Sequence, residues 1–128
     1  MRRASRLSAC LIFLIIVGCA DNVARYSSRL VANPEGDERR TLRMGTNVDI
    51  TLDSGYTRAL RRGSRWQSVG RLPQGEVYKP IDSVLTVEGA NVHEAYIVVE
   101  GKRLVGFYLP VENAFTPISS KPSVSLQE

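Results

Sequence analysis

The sequence predicts an all-β domain, a small barrel or sandwich of about five to seven short strands. Three observations predict it. Apolar and polar residues alternate strictly from Thr46 to Asp53, the period-two signature of a strand with one wet face. Short apolar runs then recur down the chain with Gly, Pro and Asn between them. No long stripe of apolar residues at helical spacing interrupts them.

Before these strands come two segments of different character. Residues 1–18 begin with Arg2, Arg3 and Arg6 and no acid, and no charge follows from Leu7 to Ala20 around the apolar centre Leu11–Val17. That order is the one an export signal uses. The run ends at Asp21, short of the roughly 20 apolar residues that a membrane-spanning helix needs.

The end of the run reads Ile16, Val17, Gly18, Cys19, which resembles the lipobox of bacterial lipoprotein precursors read by the lipoprotein signal peptidase. A branched apolar residue stands three before the cysteine and a small one directly before it. The resemblance implies cleavage before Cys19, which then carries a thioether-linked diacylglycerol and an amide-linked fatty acid such as palmitate. Two or three acyl chains hold a protein on a membrane it does not cross. Ala20 stands where an aspartate marks retention in the inner membrane, so the resemblance points to an outer-membrane lipoprotein facing the periplasm.

Cleavage changes the charge. The chain has 17 basic and 13 acidic residues and a pI near 9.4, but Arg2, Arg3 and Arg6 leave with the signal and the remainder is near neutral. No general case for nucleic acid survives. Cys10 departs too, and with Cys19 acylated no thiol remains for a disulfide, metal or nucleophile.

Residues 19–45 read as the lipidated N-terminus and a flexible tether, rich in Ser, Asn, Pro, Gly and charge. Val23, Tyr26 and Leu30 allow one or two helical turns in it. Residues 46–118 form the predicted β domain. Val48, Ile50 and Leu52 face inward, leaving Asn47, Asp49, Thr51 and Asp53 in water. Strands are expected at Trp66–Leu72, Glu76–Tyr78, Val84–Glu88, Glu94–Glu100, Arg103–Leu109 and Val111–Phe115. Between the Glu94–Glu100 and Arg103–Leu109 runs, Gly101-Lys102 suits a type II′ turn, pairing Glu100 with Arg103, Val99 with Leu104, Val98 with Val105 and Tyr96 with Phe107. Both faces of this hairpin are apolar, which puts it in the middle of the fold, with Gly106 admitting a bulge or a close approach. The stretch Gly63 to Val77, GSRWQSVGRLPQGEV, resembles bacterial SH3-like barrels, and that resemblance implies such a barrel. Residues 119–128 lack a pattern and are expected to be disordered.

The chemistry-bearing residues are few. His93 is the single histidine; a serine with Asp82 or Glu94 completes a triad on paper, but no nucleophile-elbow pattern accompanies it. One histidine without a free cysteine makes no ordinary zinc site. Asp49 and Asp53 fall on a solvated face, and no glycine-rich phosphate loop is present. The expectation is a non-enzyme without cofactors or metal.

One asymmetry stands out. No acid lies between Asp53 and Glu76, while Arg58, Arg61, Arg62, Arg65 and Arg71 do, with Tyr56 and Trp66. Arginine and tryptophan are favoured at interface hot spots, so this stretch is a candidate partner surface. Alternatively Trp66 anchors the core, since a small β domain needs its few large aromatics for burial. The leading expectation is a non-enzymatic interaction or assembly module bound to an envelope protein, as in a secretion or conjugation apparatus. The alternatives are a peptidoglycan- or glycan-binding module, an exclusion or inhibitor lipoprotein, and a small hydrolase centred on His93.

Overall fold

A computed structural model describes residues 23–34 and 40–128. The residues of the proposed signal and lipobox, including Ile16, Val17, Gly18 and Cys19, lie outside them. The described residues form strands and no helix: β1 (Tyr26–Ser27), β2 (Val31–Ala32), β3 (Thr41–Met44), β4 (Val48–Thr51), β5 (Thr57–Leu60), β6 (Arg65–Leu72), β7 (Gly75–Pro80), β8 (Thr86–Glu88), β9 (Val92–Glu94), β10 (Tyr96–Glu100), β11 (Arg103–Leu109), β12 (Ala114–Pro117) and β13 (Leu126–Gln127). The all-β expectation holds, with more and shorter strands than foreseen.

The main antiparallel sheet runs β1-β12-β11-β10-β7-β6-β3-β13, with β2 laid against β6, and two small hairpins, β4–β5 and β8–β9, complete the fold. The central hairpin β10–β11 forms at its foreseen turn. Gly101 adopts φ +60, which glycine tolerates at the first position of such a turn. Glu100 pairs with Arg103 and Val99 with Leu104. A bulge then shifts the register, so Val98 pairs with Gly106, Ile97 with Phe107 and Tyr96 with Tyr108 rather than Phe107. A Cβ on Gly106 would lie 2.3 Å from the Thr116 carbonyl oxygen, so this residue is bare because β12 crosses it closely.

Alternation along these strands fills two layers. One cluster gathers Met44, Ile50, Trp66, Ile97, Leu104 and Phe107 inside the curl of the sheet. The other, on the opposite face, gathers Leu72, Val77, Val98, Tyr108 and Phe115, with Leu30 packed against it. Thus β10 and β11 are apolar on both sides because both sides are covered.

Both flanking segments differ from expectation. A flexible tether is expected over residues 19–45, yet among its described residues Tyr26 pairs with Phe115, Val31 with Arg71 and Leu42 with Trp66. Buried Ser28 donates its amide to the Asn113 carbonyl at 3.0 Å, and Asn33 donates to the Ser68 hydroxyl at 2.9 Å. Polar side chains that resemble linker composition here satisfy backbone and side-chain partners on the sheet. The helical turns suggested by Val23, Tyr26 and Leu30 are replaced by strand and extended chain.

The tail of residues 119–128 is also structured. Leu104 donates to the Pro122 carbonyl at 2.9 Å and Val124 to the Lys102 carbonyl at 2.8 Å, and Gly45 donates to Ser125 at 2.8 Å. Leu126 then pairs with Met44. This C-terminal strap therefore bonds to the start of β11 on one side and to β3 on the other. It joins the two flanks of the curled sheet, with Val124 buried in the core between them.

Candidate functional site: an arginine turn beside a cleft

The β4–β5 hairpin carries the first of the candidate arginines. Val48, Ile50 and Leu52 point into the core while Asn47, Asp49, Thr51 and Asp53 are exposed, as the alternation requires. Asp53 accepts from the Ser119 amide and hydroxyl, both at 2.9 Å, so it fastens the strap rather than facing a ligand. On β5, Arg58 donates through Nε to the Thr86 carbonyl at 3.0 Å and forms an ion pair with Glu88. It ties this hairpin to β8.

After Leu60 the chain turns at Arg61, Arg62 and Gly63. Gly63 sits at φ +82, where a side chain is disfavoured. The turn is pinned from three directions: Gly63 donates to the Met44 carbonyl at 2.7 Å, Ser64 to the Arg61 carbonyl at 3.1 Å, and the Arg62 amide to Asn47 Oδ1 at 2.8 Å. The Arg61 and Arg62 side chains are exposed and bond to no partner among the described residues. A fixed backbone thus presents two uncompensated guanidinium groups.

Trp66 departs from the partner-surface expectation. It is 3% exposed and its indole donates to Ser64 Oγ at 2.9 Å, so the ring is core and its single polar atom is satisfied. Arg65 is engaged by Asp82, with Nε donating to Oδ2 at 2.9 Å; this contact holds the Asp82 carboxyl below the usual carboxylate range. Arg71 pairs with Glu76 across β6–β7. It stands at the far end of β6 from Arg65, roughly 20 Å along the strand at the usual rise per residue. The six candidates therefore do not form one surface. Arg61 and Arg62 remain together, with Arg58 nearby.

Beside the turn lies a cleft of about 290 Å³ whose lining includes Arg58, Leu60, Arg61, Trp66, Val84 and Leu85. Its floor is apolar and its rim cationic. Val84 on its edge is 73% exposed.

His93 occupies a different place. Its Nδ1 lies 2.6 Å from Glu112 Oε1, and the ring is largely covered. The histidine contact holds the Glu112 carboxyl below its ordinary range, against the opposing pull of burial. Neither acid suggested by the sequence serves here, because Asp82 binds Arg65 and Glu112 takes the ring. Glu112, expected within a strand at Val111–Phe115, lies instead in the turn before β12, which starts at Ala114, and only the fold brings it to β9. Its second oxygen, Oε2, is buried and has no hydrogen-bond partner among the described residues. Among the described residues no group of three or more His, Cys, Asp or Glu is placed to hold a metal ion.

No family model, no curated protein and no solved structure matches this chain.

Proposed function

We propose that the chain is a lipid-anchored envelope lipoprotein, held on the periplasmic side of the outer membrane through Cys19, that acts without catalysis as a protein-interaction or assembly module. A secretion or conjugation apparatus is the setting that suits such a module. One observation carries the choice of contact surface: Arg61 and Arg62 project from a pinned turn with no partner among the described residues, whereas Arg58, Arg65 and Arg71 are each paired with an acid. An uncompensated cationic turn beside an apolar-floored cleft fits an acidic partner segment carrying an apolar side chain. Burial of Trp66 takes that ring out of a glycan-binding face and leaves Tyr56, 48% exposed, as the accessible aromatic of the stretch.

The test is in-cell crosslinking of the full chain from a photoreactive residue placed at Arg62, followed by identification of what is captured. A specific envelope protein is expected, and its capture from a photoreactive residue at neighbouring Ala59 should fall at least tenfold when Arg61→Ser and Arg62→Ser are combined, with the thermal midpoint unchanged. Recovery of no reproducible partner refutes the proposal.

A further inference from the structure

The cleft beside the arginine turn separates two strand edges. Residues 58–61 line it on one side and residues 83–86 on the other, over Ser64 and Trp66. On the sides away from it, β4 flanks β5 and β9 flanks β8. No backbone bond crosses the gap among the described residues. Instead the Arg58 guanidinium spans one end, with Nε donating to the Thr86 carbonyl at 3.0 Å and Nη1 to the Thr57 carbonyl at 2.7 Å. Paired strands stand about 4.8 Å apart and bond directly, so a gap bridged by an arginine side chain is wider than that.

The ladder shows which backbone groups face the cleft. Leu52 donates to the Tyr56 carbonyl across the β4–β5 hairpin at 2.8 Å. Bonded and non-bonded pairs alternate in an antiparallel ladder, so Ile50–Arg58 and Val48–Leu60 are the bonded ones, and Thr57 and Ala59 turn their amides and carbonyls away from β4. Two contacts agree. The Thr51 carbonyl, opposite Thr57, accepts from Ser120 Oγ at 3.4 Å on the outer side of β4, and the Thr57 carbonyl takes the Arg58 guanidinium on the outer side of β5. Arg58 therefore closes the Thr57 end. At the other end Ala59 is exposed, and its outward amide and carbonyl, like the Arg61 amide, meet no partner among the described residues. The facing edge is already engaged, the Thr86 carbonyl by Arg58 and the Glu88 carbonyl by Ser54 Oγ at 2.6 Å. The open edge is the one on β5.

A strand laid there meets the rest of the site in register. Arg58 and Leu60 lie on the core face of β5 and Ala59 on the outer face. Side chains alternate, so a residue paired with Ala59 points outward and its neighbour beside Leu60 points into the cleft, over Trp66 and Leu85. The unpaired Arg61 and Arg62 stand at the same end and favour acids. A second copy of this chain brings only more arginine to that edge, since no acid lies between Asp53 and Glu76.

We propose that an extended acidic segment of the partner adds as a strand along the open edge of β5, bonding to the backbone of Ala59 and Arg61, with one apolar side chain in the cleft and its acids at Arg61 and Arg62. Main-chain bonds give such a complex its affinity, and the pocket for the alternate side chain gives its selectivity. This deepens the interaction-module reading above and rests on it.

The segment captured by the photoreactive residue at Arg62 is mapped by mass spectrometry, synthesised as a peptide and titrated into the purified full-length protein. Methyl groups are then placed on the peptide's amide nitrogens one at a time. Strand addition predicts an affinity loss of about tenfold at every second residue, with the residues between tolerant, and a similar loss for the unmodified peptide on Ala59→Pro. Proline is accepted at a strand edge whose amide faces outward. A thermal melt checks the fold of that variant, and the methyl scan needs no change to the protein. A peptide that is not bound, or a scan without the period of two, overturns strand addition and leaves the interaction module standing. Absence of any captured partner overturns both.

Discussion

Replacing Val124 by alanine tests whether the C-terminal strap belongs to the core. Val124 is 5% exposed and lies in the same cluster as Leu104 and Met44. The substitution removes two buried carbon groups, worth about 1.6 kcal/mol at roughly 0.8 kcal/mol each. A residual cavity brings the cost to about 2 kcal/mol, because a site clamped by backbone bonds on both sides collapses poorly. For a domain of about 100 residues that lowers the thermal midpoint by about 10 °C. Gln127→Ala is the internal control: the residue belongs to the same strap but is exposed, and surface changes stay within about 0.5 kcal/mol. Urea denaturation of the purified protein, with both variants at equal m-value, gives the comparison. If Val124→Ala costs no more than Gln127→Ala, the strap is not part of the fold and the closure described above is wrong.

Two further outcomes follow from the packing and the charge. Gly106→Ala forces a methyl group against the Thr116 carbonyl and the Phe115 ring, which stand 2.3 and 2.6 Å from the ideal Cβ position. Overpacking against backbone costs about 1–3 kcal/mol, and urea denaturation should show a loss in that range; an unchanged midpoint contradicts the close crossing of β12. Glu112, whose folded carboxyl titrates below its ordinary range through the His93 contact, contributes stability that is present above the ordinary glutamate value. That contribution is lost as the pH falls through the lowered folded value. The stability advantage of wild type over Glu112→Gln should therefore shrink between about pH 5 and pH 3, as followed by thermal melts; a constant difference across that window removes the His93 contact as its cause.

What was legible in the sequence depended on how local the stabilising contacts are. The β10–β11 hairpin carries its instructions within one stretch: a glycine turn, opposite charges at the first pair and apolar residues on both faces. Beyond Leu104 the register departs from the expected Val98–Val105 and Tyr96–Phe107 pairs, because a bulge between Val98 and Val99 shifts it. The alternation of β4 was equally plain. By contrast, Thr41–Met44 offers just Leu42 and Met44 to a core, flanked by Arg40 and Arg43, and its strand exists because β6 and β13 lie on either side. Thr57–Leu60 and Leu126–Gln127 are similar. Short strands with one or two inward residues gain their hydrogen bonds from distant partners, and no window of sequence contains those partners.

The candidate site divides in the same way. That a cluster of arginines lacked neighbouring acids was readable, but the acids that neutralise Arg58 and Arg65, Glu88 and Asp82, come from later segments. Their arrival singles out Arg61 and Arg62. Trp66 had two readings, and the need of a small domain for buried aromatic area decided between them. Glu112 could not have been paired with His93 from sequence, because it sits in the turn between β11 and β12 while His93 lies on β9, and only the fold brings the two together.

The strap sets the order in which the molecule can be completed. Met44 is made early, and its partner Leu126 only after almost everything between them, so the ring of strands has no way to shut while the chain is still emerging. Loop closure over such a span is slow and entropically costly. For the exported lipoprotein proposed above, late closure would leave the chain threadable until its passage is nearly finished.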